Sequence, residues 1–231
     1  YEQTEKVLFS ADAFGKFGAV GTDEPWPEEA RRYFINIVGK YGAPVQTLLK
    51  KAAALDIATI CPLHGPVLQG DLTPYLHLYN TWSSYQPETR GVFIAYASIY
   101  GNTKTALLLA EELKSRGVTV EIADLSRTDL AQAVAKAFQY SQMVCAAPSY
   151  DGGVFPVMAD FLHHLKSKSY QNRTVALIEN GSWAPSAART MTAQLEEMKA
   201  ITLLSGTVTV RAALKDADRT ALAALADALA Q

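Results

Sequence analysis

Six consecutive residues, Ser98-Ile99-Tyr100-Gly101-Asn102-Thr103, gather hydroxyl and amide donors around a glycine. They fall between a β-branched and aromatic run, Gly91 to Ala97, and a helical stretch, Thr103 to Arg116. A bound phosphate needs converging donors with no bulky side chain in the way. The hydroxyls of Ser98 and Thr103, the Asn102 amide and the free N–H groups of a helix start meet that need. Gly101 allows a tight backbone bend. No Lys or Arg lies within the six, so attraction for an anion would come from hydroxyls and the helix end. A helix cap would use some of the same residue types. A whole hexad of them at a strand–helix junction points to a binding loop.

Two later loops share this character. Pro148-Ser149-Tyr150-Asp151-Gly152-Gly153 offers an aromatic wall for a flat ring beside glycines that let backbone approach. As Asp-Gly-Gly it is also good turn chemistry. Asn180-Gly181-Ser182-Trp183 again combines glycine, hydroxyl and aromatic, although a lone Trp is ordinarily a core or interface anchor. Three such loops at three strand ends are more specific than any one.

The elements that must position them alternate from about residue 88. Strands are expected at 91–97, 118–123, 143–147, 174–179 and 201–210, with helices at 103–116, 129–140, 154–166, 187–199 and near the end. In the first helix Ala106, Leu109, Ala110 and Leu113 share one face. Leu222, Leu225, Ala226 and Leu229 do so in the last. This pattern predicts an α/β fold, a five-stranded, doubly wound parallel sheet covered on both sides. Ligands then bind beyond the carboxyl ends of the strands, where strand order reverses. The three loops stand there.

The first 82 residues read differently, with short strands at 7–10 and 58–61, helices over 26–54 and 73–82, and a linker at 83–90. Two short strands cannot close a sheet, so this segment is expected to be the end of a domain. The opening Tyr1 hints at a fragment. A net charge of −2 over 231 residues, without a basic block, disfavours nucleic acid and anionic membranes as partners. No apolar run approaches the ~20 residues that span a bilayer. Cys61 and Cys145 lie in apolar runs and are expected to be buried reduced thiols, which points to the cytoplasm.

The hexad resembles the phosphate loop of flavodoxins, and residues 91–231 resemble that fold. The resemblance implies FMN, with its phosphate on Ser98, Tyr100, Gly101, Asn102 and Thr103. The second loop (Pro148, Ser149, Tyr150, Asp151, Gly152) and the third (Asn180, Gly181, Ser182, Trp183) would frame the ring, with Ile99 of the hexad a further cofactor-binding residue. Rossmann and Walker glycine patterns are absent. A phospho-receiver domain would want acidic residues where Ser98 and Pro148 stand.

Before the linker, Ser10-Ala11-Asp12-Ala13-Phe14-Gly15 and Pro62-Leu63-His64-Gly65 resemble the last third of the metallo-β-lactamase-like (αββα) domain of flavodiiron proteins. The resemblance implies Asp12 as a carboxylate bridging two irons and His64 as a ligand to one; carboxylate and imidazole suit non-haem iron. His77, His163 and His164 match no ligand motif. The family's His-x-Glu-x-Asp-His motif and one further histidine would precede residue 1, so residues 1–231 are expected to hold an incomplete diiron site. The family's third loop reads Gly-Ser-x-Gly-Trp-Ser-Gly; here it is Asn180-Gly181-Ser182-Trp183-Ala184-Pro185-Ser186.

The implied activity is reduction of O2 or NO, with FMN receiving electrons from rubredoxin or a flavin/NADH reductase, in a homodimer. Two alternatives stay open: an electron carrier of the flavodoxin kind without its own catalysis, and an FMN-dependent NAD(P)H:quinone reductase.

Overall fold

The computed structural model describes residues 1–19, 21 and 24–231. The chain divides into two compact units, Tyr1–Glu88 and Thr89–Gln231.

The second unit is built on β4 (Thr89–Tyr96), β5 (Val120–Asp124), β6 (Tyr140–Tyr150), β8 (Arg173–Asn180) and β10 (Val208–Val210). Their order across the sheet is β10-β8-β6-β4-β5, all parallel. Counted along the unit this is 2-1-3-4-5, the flavodoxin order, with its switch point between β4 and β6. Two short additions go beyond the expected five strands. β7 (Gly153–Val154) folds back on β6, and β9 (Ile201–Leu203) pairs with the start of β8. The single strand expected over 201–210 is therefore two pieces on one edge of β8. Between them the chain turns at Gly206, φ +91°.

Period-two alternation sorts the strand residues between two faces. Val92, Ile94 and Tyr96 pack with Val144, Ala146, Ala176 and Ile178 under α4 (Thr105–Ser115) and α8 (Asp216–Leu229). Leu109, Leu113, Leu222, Leu225 and Leu229 supply the helical side, as their spacing predicts. α5 (Leu130–Gln139), α6 (Pro156–Ser167) and α7 (Ala187–Glu196) complete the unit. Phe138 and Tyr170 meet edge to face with centroids 5.2 Å apart. Asp129 caps α5, its carboxylate accepting from the Gln132 N–H at 3.0 Å. At the other end of α5, buried Arg173 donates to the carbonyls of Phe138 (2.6 Å) and Tyr140 (2.7 Å). That satisfies acceptors the helix end leaves open.

The first unit holds β1 (Val7–Ala11), β2 (Thr59–Pro62) and β3 (Leu68–Gln69), in that order. β1 and β2 are parallel; β3, too short to be expected, is antiparallel to β2. The helical stretch resolves into α1 (Trp26–Tyr33), a π-helical segment at Phe34–Val38, a 3₁₀ turn and α2 (Gly42–Ala52), followed by α3 (Thr73–Ser83). Its core is largely aromatic: Phe14 stacks on Tyr79 at 4.1 Å, Phe34 meets Tyr79 at 5.1 Å and Trp26 lies over Trp82 at 6.0 Å. Arg31, 3% exposed, pairs with Glu88 and Glu28, and the Trp82 indole donates to Glu88 at 2.6 Å. Burial alone would lower the Arg31 pKa, but the two carboxylates outweigh it and raise it. Among the described residues, no helix is long and apolar enough to cross a membrane.

Candidate functional site

Strand register brings the three loops of the second unit level. Tyr96 stands opposite Ala146 in β6, and Pro148 opposite Asn180 in β8. One cleft, of about 130 Å3, lies between the loops that follow. It is lined by Ser98, Ile99, Tyr100, Asn102, Thr103, Pro148, Ser149, Asn180, Gly181 and Ser182, each singled out by the sequence. Five of the fifteen candidates in these loops do not line it: Gly101, Tyr150, Asp151, Gly152 and Trp183.

Gly101 works through backbone. It adopts φ +87°, ψ −8°, a left-handed conformation, at the entry to the helical turn Asn102–Lys104. The turn before it is held by Ser98, whose hydroxyl oxygen accepts the Gly101 N–H at 2.9 Å. That leaves the Ser98 proton to donate outward. Thr103 is buried, and the Thr105 hydroxyl donates to the Asn102 carbonyl at 2.8 Å. The loop is thus folded before any ligand arrives, and none of its described side chains carries a charge.

The second loop is a two-residue hairpin. Tyr150 pairs with Gly153, and Asp151 (φ +48°) and Gly152 (φ +72°) form the turn. Asp-Gly with both φ positive is the I′ chemistry that suits strand twist. Tyr150 is half exposed, its ring edge-on to Phe155 at 5.7 Å.

The third loop is tied to the second by one hydroxyl. Ser149 Oγ accepts the N–H groups of Ser186 (2.7 Å) and Ala187 (3.2 Å) at the start of α7. Ser186 Oγ in turn donates to the Gly153 carbonyl at 2.9 Å. Gly181 fits closely: a Cβ would lie 3.0 Å from Pro185 Cα and 3.2 Å from Ser149 Oγ, so a larger residue would push its neighbours by a few tenths of an ångström. Trp183 is 89% exposed, as is Tyr100, so Trp183 is not an anchor of this chain's own core. Two large aromatics left open to water on loops that line one cleft leave apolar area free for a flat ligand.

One contributor, Glu179, was not legible in the sequence, and the partners of the expected Asn180 were not legible either. Glu179, 8% exposed at the end of β8, accepts from the Ala188 N–H and from the Thr209 hydroxyl, both at 2.9 Å. Asn180 donates from Nδ2 to the carbonyls of Val210 (3.1 Å) and Ala212 (2.9 Å). Strand alternation hints that Glu179 turns inward, but nothing local reveals its partners.

In the first unit, Asp12 follows β1 and His64 follows β2. Because those strands are parallel, with Ala11 opposite Pro62, the two side chains meet, His64 Nε2 3.5 Å from Asp12 Oδ1. The Tyr33 hydroxyl donates to Asp12 Oδ1 at 3.2 Å. Burial and the Asp12 charge together raise the Tyr33 pKa. Asp12 and His64 remain over half exposed, open to a further group. Among the described residues no cluster of three or more His, Cys, Asp or Glu could hold a metal ion. A carboxylate and an imidazole side by side fit part of a metal's ligand shell. Cys61 is only half-buried, unlike the buried thiol expected, while Cys145 is fully enclosed and pushed up to about 12 by burial.

No protein-family profile matches the chain. Rubredoxin-oxygen oxidoreductase of Megalodesulfovibrio gigas is 24% identical over 208 residues, covering 84% of this chain and 51% of that protein. Putative diflavin flavoprotein A 3 of Synechocystis is 33% identical over 127 residues, 52% of this chain and 21% of that protein. The flavodiiron protein of Giardia intestinalis superposes with a TM-score of 0.89 at 22% identity, over 99% of this chain and 59% of that one. At that identity the superposition speaks to the fold, which includes a partial lactamase-like part before the flavodoxin-like one. The chain spans about half the length of the first of these relatives and less of the second. In sequence and in structure, the matches to flavodiiron proteins extend across the chain.

Proposed function

We propose that this chain, matching flavodiiron proteins along its length, is the FMN-binding electron-transfer part of such an oxidoreductase. Residues 1–88 would be the end of its diiron domain and 89–231 the flavin domain, since Glu88 pairs with Arg31 in the first unit and β4 opens at Thr89. The carrying observation is the cleft at the switch point, lined throughout by the hexad and the two loops beyond β6 and β8.

Each residue's part follows from its chemistry. The hydroxyls of Ser98 and Thr103, the Asn102 amide and N–H groups of the first helical turn would hold the FMN phosphate. Gly101 gives the bend that turns those groups inward. Tyr100, Tyr150 and Trp183 would cover the ring and exclude water from it, while Ser149 and Glu179 keep the third loop in place. Bound FMN supplies the redox chemistry, accepting and releasing electrons.

Asp12 and His64 would serve as bridging carboxylate and iron ligand, the other ligands coming from sequence outside these 231 residues. Their juxtaposition favours this reading over a carrier of the flavodoxin kind, which has no use for it. The parent would reduce O2 or NO at the completed site, receive electrons from rubredoxin or a flavin/NADH reductase, work as a homodimer and reside in the cytoplasm. The test is electron delivery. Reduced rubredoxin or a flavin reductase with NADH should bleach the visible band of FMN bound to this chain, and air should restore it. FMN that binds but cannot be reduced by either donor would sink the electron-transfer role.

A further inference from the structure

The hexad has two sides. One faces the flavin cleft; the other walls a wider cleft of about 730 Å3 beside β5. Across that second cleft lies the turn after β5, with Asp124, Ser126 and Arg127. β4 and β5 are parallel neighbours with Tyr96 opposite Asp124, so turn and hexad stand level. The proposed function uses none of these turn residues.

Their chemistry is not that of a bare turn. The Asp124 carboxylate accepts the Ser126 N–H at 3.0 Å, which alone would suffice for an Asx turn. The Tyr96 hydroxyl stands near it, its pKa raised by burial and by the Asp124 charge. Arg127 Nε stands 3.6 Å from Asp124 Oδ2, a long contact on a side chain 86% exposed, so its fork of donors remains available. In doubly wound sheets an acid about 20 residues beyond the phosphate loop, at the end of the neighbouring strand, accepts ribose hydroxyls. Asp124 stands at that distance and place. A basic group beside it suits a phosphate.

We propose that the cleft beside β5 binds the adenosine-phosphate end of a dinucleotide. Asp124 accepts from the ribose diol, and Arg127 and the Ser126 hydroxyl donate to phosphate. The hexad then separates two nucleotide subsites. Two ligands carry this chemistry: FAD, spanning both clefts, or a pyridine dinucleotide docking beside FMN. The adenosine subsite stands on its own residues; only its use in redox work rests on the flavin reading.

The test titrates ADP into the chain with and without FMN by calorimetry, and compares FAD with FMN by flavin-fluorescence quenching. Each is repeated on Arg127→Ala, an exposed position outside the flavin cleft. ADP should bind, and R127A should weaken it roughly tenfold while leaving FMN affinity within about twofold. FAD tighter than FMN, with the advantage lost in R127A, assigns the flavin dinucleotide. ADP binding to the FMN-loaded chain, with FAD no tighter than FMN, assigns the pyridine dinucleotide. ADP that fails to bind either form while FAD is no tighter than FMN, or ADP affinity unchanged by R127A, overturns the proposal. FMN failing to bind while ADP binds would sink the flavin reading and leave this subsite standing.

Discussion

Gly101 and Gly181 should fail for different reasons when replaced by alanine. At Gly101 the obstacle is torsional: φ is +87°, yet nothing lies within 4 Å of an added Cβ. A left-handed non-glycine residue costs about 1–2 kcal/mol. If the unliganded loop relaxes to shed that strain, FMN binding must restore it, so G101A should weaken FMN by roughly 5- to 30-fold. Asparagine tolerates this region, so G101N should recover much of the loss. At Gly181 the obstacle is crowding, with Pro185 Cα at 3.0 Å and Ser149 Oγ at 3.2 Å from the new Cβ. Removing the Ser149 hydroxyl forfeits two bonds to α7 but clears half of that clash. S149A/G181A should therefore be less damaging than the two single effects summed, by about 0.5–3 kcal/mol. Fluorescence titration with FMN and urea midpoints on the six proteins, wild type included, read both effects. G101N as weak as G101A, or strict additivity at 149 and 181, would refute the reasoning.

Further expectations concern stability and reactivity. Replacing Glu88 with alanine leaves buried Arg31 with Glu28 as its carboxylate partner and takes the acceptor from the Trp82 indole, and should cost about 1.5–3 kcal/mol; a denaturation curve should show the first unit melting earlier. Arg173→Met removes the guanidinium bonds to the Phe138 and Tyr140 carbonyls and should lower the second unit's stability in urea by about 1–3 kcal/mol. Burial lifts the Cys145 thiol from 9.0 to about 12, so between those pH values the unfolded chain loses a proton the folded one keeps. Stability is full below pH 9 and should fall as pH rises toward 12, by roughly 4 kcal/mol from this group. Buried Tyr170, also raised, adds to the fall, and C145A should flatten the alkaline slope seen in urea melts at stepped pH. A thiol reagent on the native chain should label half-buried Cys61 and reach Cys145 only on unfolding.

The sequence revealed what depends on local pattern. Helical faces such as Ala106, Leu109, Ala110 and Leu113 became core because their spacing fits one stripe. The hexad was visible because its donors are contiguous. Features that depend on distant partners were not visible. β3 and β7 are two residues long and exist only because β2 and β6 offer free edges. The break between β9 and β10 interrupts a run whose propensities read as one strand. Glu179 looks like any strand-end acid until α7 and β10 bring it the Ala188 N–H and the Thr209 hydroxyl. Asp12 and His64 were paired by resemblance alone; the parallel register of β1 and β2 supplies the physical reason they meet.

The central claim is that the three-loop cleft holds FMN, and equilibrium titration of the flavin-free chain with FMN tests it most directly. One FMN per chain should bind, with its fluorescence quenched and the exposed rings of Tyr100 and Trp183 covered, as their protection from surface labelling would report. Flavin that stays fully fluorescent at saturating protein, with both rings still open to label, would contradict the account.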